Sequence, residues 1–245
     1  MTIKPLSILC LALAAGSTFA QTKAPEPDYT LAFNVGATTD YRFRGISQSR
    51  LDPALFGGVD FAHKSGFYLG VWASSIKWIK DAGGNADAEI DIYGGYKGSA
   101  GDIGYDVGLL RYQYPSHNLA ISPNTTEVYG ALTFGPVTAK YSHALTNTFG
   151  FANSKNSGYL DLSATFDLGS GFSIVPHIGH QRIAGTGNGI FSYSDYALTL
   201  NYDFGNGLVA SAAAIGTDAR KTSYFTPAGK GTGRDGLVLG LKYNF

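Results

Sequence analysis

The sequence predicts an all-β fold, a transmembrane antiparallel up-and-down β-barrel of about twelve strands with short periplasmic turns and long outer loops. Three observations predict it. From Tyr29 onward, polar and apolar residues alternate with a period of two, segment after segment. Tight glycine turns and long polar loops take turns as the connections. The chain's last residues, "GLVLGLKYNF", put an apolar or aromatic side chain at every second position up to Phe245.

The first twenty residues stand apart from this pattern. Lys4, an apolar run from Leu6 to Ala15 and the small-residue stretch "STFA" read as a secretory signal peptide, with cleavage near Ala20. That apolar run is too short for a membrane-spanning helix. Cys10, the single cysteine, falls inside the signal behind Leu9, which is not the small residue that lipid attachment needs. The mature chain then holds no cysteine and no disulfide framework. Residues 21–28, "QTKAPEPD", read as a short linker, and 29–245 as the barrel.

Composition agrees. Eighteen basic and eighteen acidic residues cancel, so nothing points to nucleic acid. With 33 glycines, 16 tyrosines and 15 phenylalanines, the chain is rich in turn formers and aromatic surface rather than in helix formers.

Taken in order, the alternating segments are 29–44, 53–62, 67–75, 87–97, 103–112 and 126–134. The second half continues with 137–145, 158–168, 172–181, 193–204, 208–216 and 237–245. Links such as "HKSG", "GSAGD", "GP", "GSG" and "GNG" have the glycines that hairpin turns need. Between them lie long stretches such as "QYPSHNLAISPNT" and "TDARKTSYFTPAGKGTGRD". A soluble sandwich has no reason to segregate loop length in this way; a membrane barrel does. An even strand count puts both ends of the barrel on the periplasmic side.

Parity assigns the faces. In the last segment Leu237, Leu239, Leu241, Tyr243 and Phe245 share one face, opposite Val238, Gly240, Lys242 and Asn244. Aromatic residues at strand ends fit an interfacial girdle. Parity alone also allows a soluble barrel around an apolar cavity; loop segregation and the C-terminal strand favour lipid outside. Pro176 warns of a bulge or weak register within its strand.

The stretch "DYRFRGIS" (40–47) closes the first segment. Continued parity turns Tyr41 and Phe43 toward lipid and Arg42 and Arg44 into the lumen near the outer rim. Arginine at the lipid midplane would cost about 2–4 kcal/mol, which favours the inward placement. The same rule places Asp60, Glu89, Asp91 and Asp106 in the lumen, with Glu127, Lys140, Asp161 and Lys242. Trp72 also falls on the inward parity, unless a bulge shifts it. Two readings of this charge set stay open: a constriction that filters solutes by size and field, or ion pairs that fill a narrow barrel.

The stretches "FNVGATTDYRFRGISQS", "PALFGGVDF", "GFYLGVWASSI", "EIDIYGGYKG" and the closing "GLVLGLKYNF" resemble the TorF-type porins of proteobacteria. The resemblance implies an outer-membrane barrel acting as a porin, and transfers no residue-level site. A C-terminal Phe behind alternating apolar residues is similar to the last strand of bacterial outer-membrane barrels. That likeness implies that Leu241, Tyr243 and Phe245 are read by the barrel-assembly machinery.

The function expected is passive diffusion of small hydrophilic solutes or ions through a charged lumen, with no enzymatic activity, cofactor or metal. A closed structural or adhesive barrel acting through its outer loops is the alternative. An outer-membrane hydrolase is disfavoured because no nucleophile, base and orienting group converge. Ser142 and His143 lie on opposite faces of one strand, as do His177 and His180.

Overall fold

The computed structural model describes residues 27–245. The expected signal peptide and its cleavage site lie outside the described residues, as does most of the expected linker. The barrel strands are β1 (Tyr29–Thr38), β2 (Ala54–His63), β3 (Phe67–Ser75), β4 (Ala88–Ala100), β5 (Ile103–Gln113) and β6 (Thr125–Phe134). They continue as β7 (Val137–Ala144), β8 (Gly158–Ala164 and Phe166–Gly169), β9 (Phe172–Arg182), β10 (Tyr193–Asp203), β11 (Leu208–Thr217) and β12 (Gly236–Asn244). Each pairs antiparallel with its sequence neighbours, and β12 returns to β1 with Val35 opposite Tyr243. The sheet is therefore a closed antiparallel barrel of twelve strands without a free edge.

Connections at one rim are short (64–66, 101–102, 135–136, 170–171 and 204–207), and this rim also holds both ends of the barrel. The other rim carries 39–53, 76–87, 114–124, 145–157, 183–192 and 218–235. A one-turn helix, α1 (Trp78–Asp81), lies in the second of these loops.

The faces are the inverse of a soluble barrel's. Leu237, Leu239 and Leu241 on β12 are about half exposed or more, as are Leu160 and Leu168 on β8 and Leu198 on β10. Inward positions of the walls bury charged and polar side chains instead: Glu89, Glu127, Gln181 and Asp195 are each at most 3% exposed. The leucines of β8, β10 and β12 thus point outward, the reverse of a soluble barrel wrapped around an apolar core.

The abundance of both Gly and Tyr has one packing cause. On the inward face, a tyrosine ring lies flat across a glycine of the neighbouring strand. A β-carbon at Gly108 would stand 2.5 Å from the Tyr129 hydroxyl, and one at Gly95 2.5 Å from that of Tyr68. Glycine clears the space that lets a narrow barrel hold large rings.

Pro176 does mark a weak place. β9 keeps unbroken register with β10, with Pro176 opposite Leu198. On its other side the ladder to β8 runs from Gly158 to Ser163, then resumes at Phe166. The intervening Ala164 lies across from Pro176, which has no N–H to donate. The interruption of β8 is thus the missing proline donor, not a slip in register. Trp72 sits in regular register between Gly58 and Asp91, without a bulge.

One segment departs from expectation. β1 does not run to residue 44; it ends at Thr38. The chain then turns into the barrel and forms a second, two-stranded hairpin, Arg42–Phe43 against Ile46–Ser47. Tyr41 and Phe43, expected to face lipid, are inside. Tyr41 packs edge-on against Trp72 at 5.3 Å and Phe43 against Tyr112 at 5.3 Å. Alternation continues from one sheet into the other, so parity carries across a turn that it cannot see.

Candidate functional site: the inner hairpin and the charged lumen

The inner hairpin is a two-residue turn at Arg44 and Gly45, both with positive φ (48° and 77°). Such turns match the twist of the strands they join. At Gly45 a second constraint applies: a β-carbon would stand 2.8 Å from Asp195 Cβ and would overlap Thr217 Cγ2. The tip is therefore pressed against β10 and β11. Gly45→Ala is expected to lift the hairpin from its seat. Limited trypsin digestion should then cut after Arg42 or Arg44 in the intact barrel, whereas the original chain stays protected there.

Asp40 starts the inward turn. Its carboxylate accepts from Ser47 Oγ at 2.5 Å and Ser49 Oγ at 3.0 Å, and pairs with Arg42 Nε at 2.5 Å. Arg42 then donates to the carbonyls of Gly45 (2.9 Å), Thr232 (3.0 Å) and Arg234 (3.1 Å). Arg42 is thus a brace between the hairpin and the last long loop, not part of the barrel wall.

Arg44 crosses the lumen. Its guanidinium donates to both Glu127 oxygens on β6, at 2.7 and 3.1 Å, and to Gln181 Oε1 on β9 at 2.6 Å. It also stacks on the Tyr159 ring of β8 at 4.3 Å. The two charged side chains are only 6% and 2% exposed. A two-pronged pair of this kind fixes direction as well as charge.

Three of the other inward acids, Glu89, Asp60 and Asp106, accept from tyrosines. Glu89 on β4 accepts from Tyr41 Oη at 2.5 Å and Tyr114 Oη at 2.7 Å. Burial, followed by the charge of Glu89, holds both of these loop phenols well above their ordinary range, so they stay protonated donors. Asp60 accepts from Tyr93 Oη and Asp106 from Tyr68 Oη, each at 2.5 Å. Asp91 keeps one buried oxygen without a partner among the described residues. Lys140 lies over the Tyr129 ring at 4.0 Å. Asp161 stands 3.5 Å from His177 Nδ1, whose Nε2 is 2.8 Å from Asp195.

Every acid and lysine named above thus faces inward, but they do not form one opposed pair of walls. Arg44 joins Glu127, Arg42 joins Asp40, and the rest are spread along the lumen. Asp195 and His177 were readable by parity and belong with the set. Asp40 and Gln181 also fall on inward parity, but their contacts with Arg42 and Arg44 depend on the inward hairpin and were not readable.

The hairpin separates two spaces. On the long-loop side is a cavity of about 390 Å³, bordered by Phe43, Gln48, Trp78, Phe149 and Tyr224. On the short-turn side is one of about 330 Å³, bordered by Arg44, Lys140, Asp161, His177 and Asp195. The first is aromatic and the second is charged.

At the other rim Phe245 closes the barrel. It exchanges backbone hydrogen bonds with Phe33 at 2.9 and 3.0 Å, and the two rings stack at 5.7 Å. Leu241, Tyr243 and Phe245 all face outward.

Several solved structures share this architecture. A KdgM porin aligns with a TM-score of 0.58 at 7% identity, covering 87% of this chain and 99% of the porin. A second KdgM structure, in complex with disordered oligogalacturonate, gives 0.55 at 8% identity over 88% of this chain and 98% of its own. A NanC porin gives 0.55 at 10% identity over 88% and 99%. At such identities the likeness is one of fold, and the fold is porin-like. No curated protein matches the sequence. None of these matches bears on the TorF type specifically. Residues 22–245 match Gcw_chp, described as a bacterial protein of unknown function, and the chain belongs to that family.

Proposed function

We propose that this chain is a non-enzymatic outer-membrane channel for passive diffusion of small hydrophilic solutes or ions, narrowed on its outer side by the 40–48 hairpin. The observation that carries the reading is the inverted barrel: leucines outside, carboxylates and tyrosines inside. An exterior of that kind calls for lipid, and a charged interior is of use only to water and what dissolves in it. On this reading the long-loop rim faces the exterior and both ends of the barrel face the periplasm. The exported chain is handed to the barrel-assembly machinery, with Leu241, Tyr243 and Phe245 as its signal. The TorF-type resemblance supports the same assignment.

Once Arg44 is matched by Glu127 and Asp161 stands against His177, the inward charges that are left are mostly acidic, with Asp60 and Asp106 among them. The expected pore therefore prefers cations. Single-channel recording of the refolded protein under a salt gradient tests this. Discrete steps with a cation-selective reversal potential support the channel. A silent bilayer containing demonstrably inserted protein supports the second reading, a closed barrel working through its outer loops. The observation favouring that reading is the buried Arg44 cluster, which fills the lumen from β6 to β9.

The lipid face has its own test. Leu239 faces outward near the middle of β12, and Asn201 faces inward on β10. Leu239→Arg is expected to lose about 2–4 kcal/mol of stability in phospholipid vesicles, and Asn201→Arg far less. Urea unfolding of the two variants gives the comparison. Equal losses would remove the assignment of faces to lipid and water.

A further inference from the structure

The aromatic cavity above the hairpin is unlike the rest of the interior. Its floor is Phe43, Phe149 and Tyr193, and its sides are Trp78, Phe151 and Phe225. Elsewhere, inward phenols are tied to carboxylates or to one another, but here the rings border open space. Phe225 is 54% exposed, yet it sits in the last long loop, away from the outward leucine band. An aromatic side chain held at a water-filled mouth has no role in lipid contact or in the barrel's packing.

The walls are built rather than loose. Phe151 packs tilted against Phe191 at 4.6 Å, and Tyr193 meets Tyr224 edge-on at 5.3 Å. Tyr224 Oη donates to the Phe191 carbonyl at 2.6 Å, fastening the last long loop to the one before it. The Gln48 carbonyl accepts from the N–H groups of Lys77 and Trp78 at 2.8 and 3.1 Å, fixing α1 to the hairpin. Four loops and the hairpin thus hold the rings in place before any ligand arrives, which lowers the ordering cost of binding.

The charges at the cavity cancel. Arg50 pairs with Asp81 at its edge, and Arg44 below the floor pairs with Glu127. Neither an anion nor a cation finds an unmatched partner here. Polar groups are few, with Gln48, Ser223 and Thr232 among them. The volume of about 390 Å³ is in the range of small-molecule sites.

We propose that this vestibule binds uncharged, water-soluble compounds that carry one aromatic ring. The ring packs among Phe43, Phe149 and Phe225, and a polar substituent points to the mouth. Offset or edge-on contacts with several rings recognise an aromatic face better than a saturated sugar face. The site opens to the long-loop rim, so it stands whether or not the lumen below conducts, and goes beyond the channel reading.

Isothermal titration of the full barrel in lipid nanodiscs tests the proposal, with phenyl β-D-glucoside as probe. Methyl β-D-glucoside removes the ring, and phenyl phosphate replaces the neutral substituent with a charged one. Saturable binding of the phenyl glucoside is expected, with the methyl glucoside weaker by about tenfold or more, the factor for burying one ring. Phenyl phosphate is also expected to bind more weakly. Phe225→Ala truncates an exposed side chain, leaves the barrel's β-type circular dichroism unchanged, and is expected to weaken the phenyl glucoside several-fold. Absence of saturable binding, equal binding of the methyl glucoside or of phenyl phosphate, or indifference to Phe225→Ala would each overturn the proposal. Conductance of the same preparation reports separately on the channel.

Discussion

Arg44→Ala is expected to cost the barrel about 3–5 kcal/mol, because it strands Glu127 as a buried, uncompensated charge. Glu127 would keep only a 3.3 Å hydrogen bond from Tyr112, and Gln181 Oε1 would lose its donor. The ring of Tyr159 and that of Phe43 would also lose the cation lying over them, at 4.3 and 4.7 Å. Removing both charges should be milder than removing one. Arg44→Ala with Glu127→Ala is therefore expected to recover part of the loss, and urea unfolding in vesicles measures both. If the single variant is as stable as the original chain, Arg44 and Glu127 are not an interior pair. Conductance adds a second readout. Without its ion pair the hairpin is held mainly by Arg42 and Tyr41, so the single variant should show larger or noisier steps.

What parity could and could not reach is clear from particular residues. Tyr196, Leu198 and Leu200 lie outward on β10 as the alternation implies, and the twelve strands follow from alternation plus glycine turns. A side-chain period of two reports that a segment is extended, not which sheet it joins. "YRFRGIS" keeps that period while leaving the wall, so Arg42 was placed inward on the wrong element. The turn that takes it there rests on Asp40, whose partners Ser47 and Ser49 lie seven and nine residues ahead. Arg44 finds Glu127 across 83 residues of chain and Gln181 across 137. Contacts of that span depend on closure of the whole barrel and leave no local pattern. Asp195 is a different case. It sits on the same parity as Ala197 and Thr199, so its inward place was readable even though its contact with His177 was not.

Excising the inner hairpin is expected to change conduction most. Thr38 of β1 already stands opposite Ala54 of β2, so the two strands need only a two-residue turn to join them. The chain instead spends residues 39–53 there and sends the middle of that stretch across the lumen. Replacing 39–53 by Asn-Gly, the preferred pair for such a turn, should leave the β1–β2 register intact. It would also remove the shared wall between the aromatic and the charged cavities, merging them into one passage. The neighbouring carboxylates Glu89 and Glu127 lose Tyr41 and Arg44 at the same time and keep only Tyr114 and Tyr112, so the variant should carry both changed to Gln. A folded barrel with conductance raised several-fold over the original chain would establish the hairpin as the barrier. Unchanged conductance from a folded barrel would place the narrowest point elsewhere, among Tyr68, Tyr93 and Tyr129 nearer the short-turn rim. Those three rings lie over glycines of adjacent strands on one side of the lumen and reach Asp106, Asp60 and one another, so the alternative barrier has a defined location and its own set of substitutions.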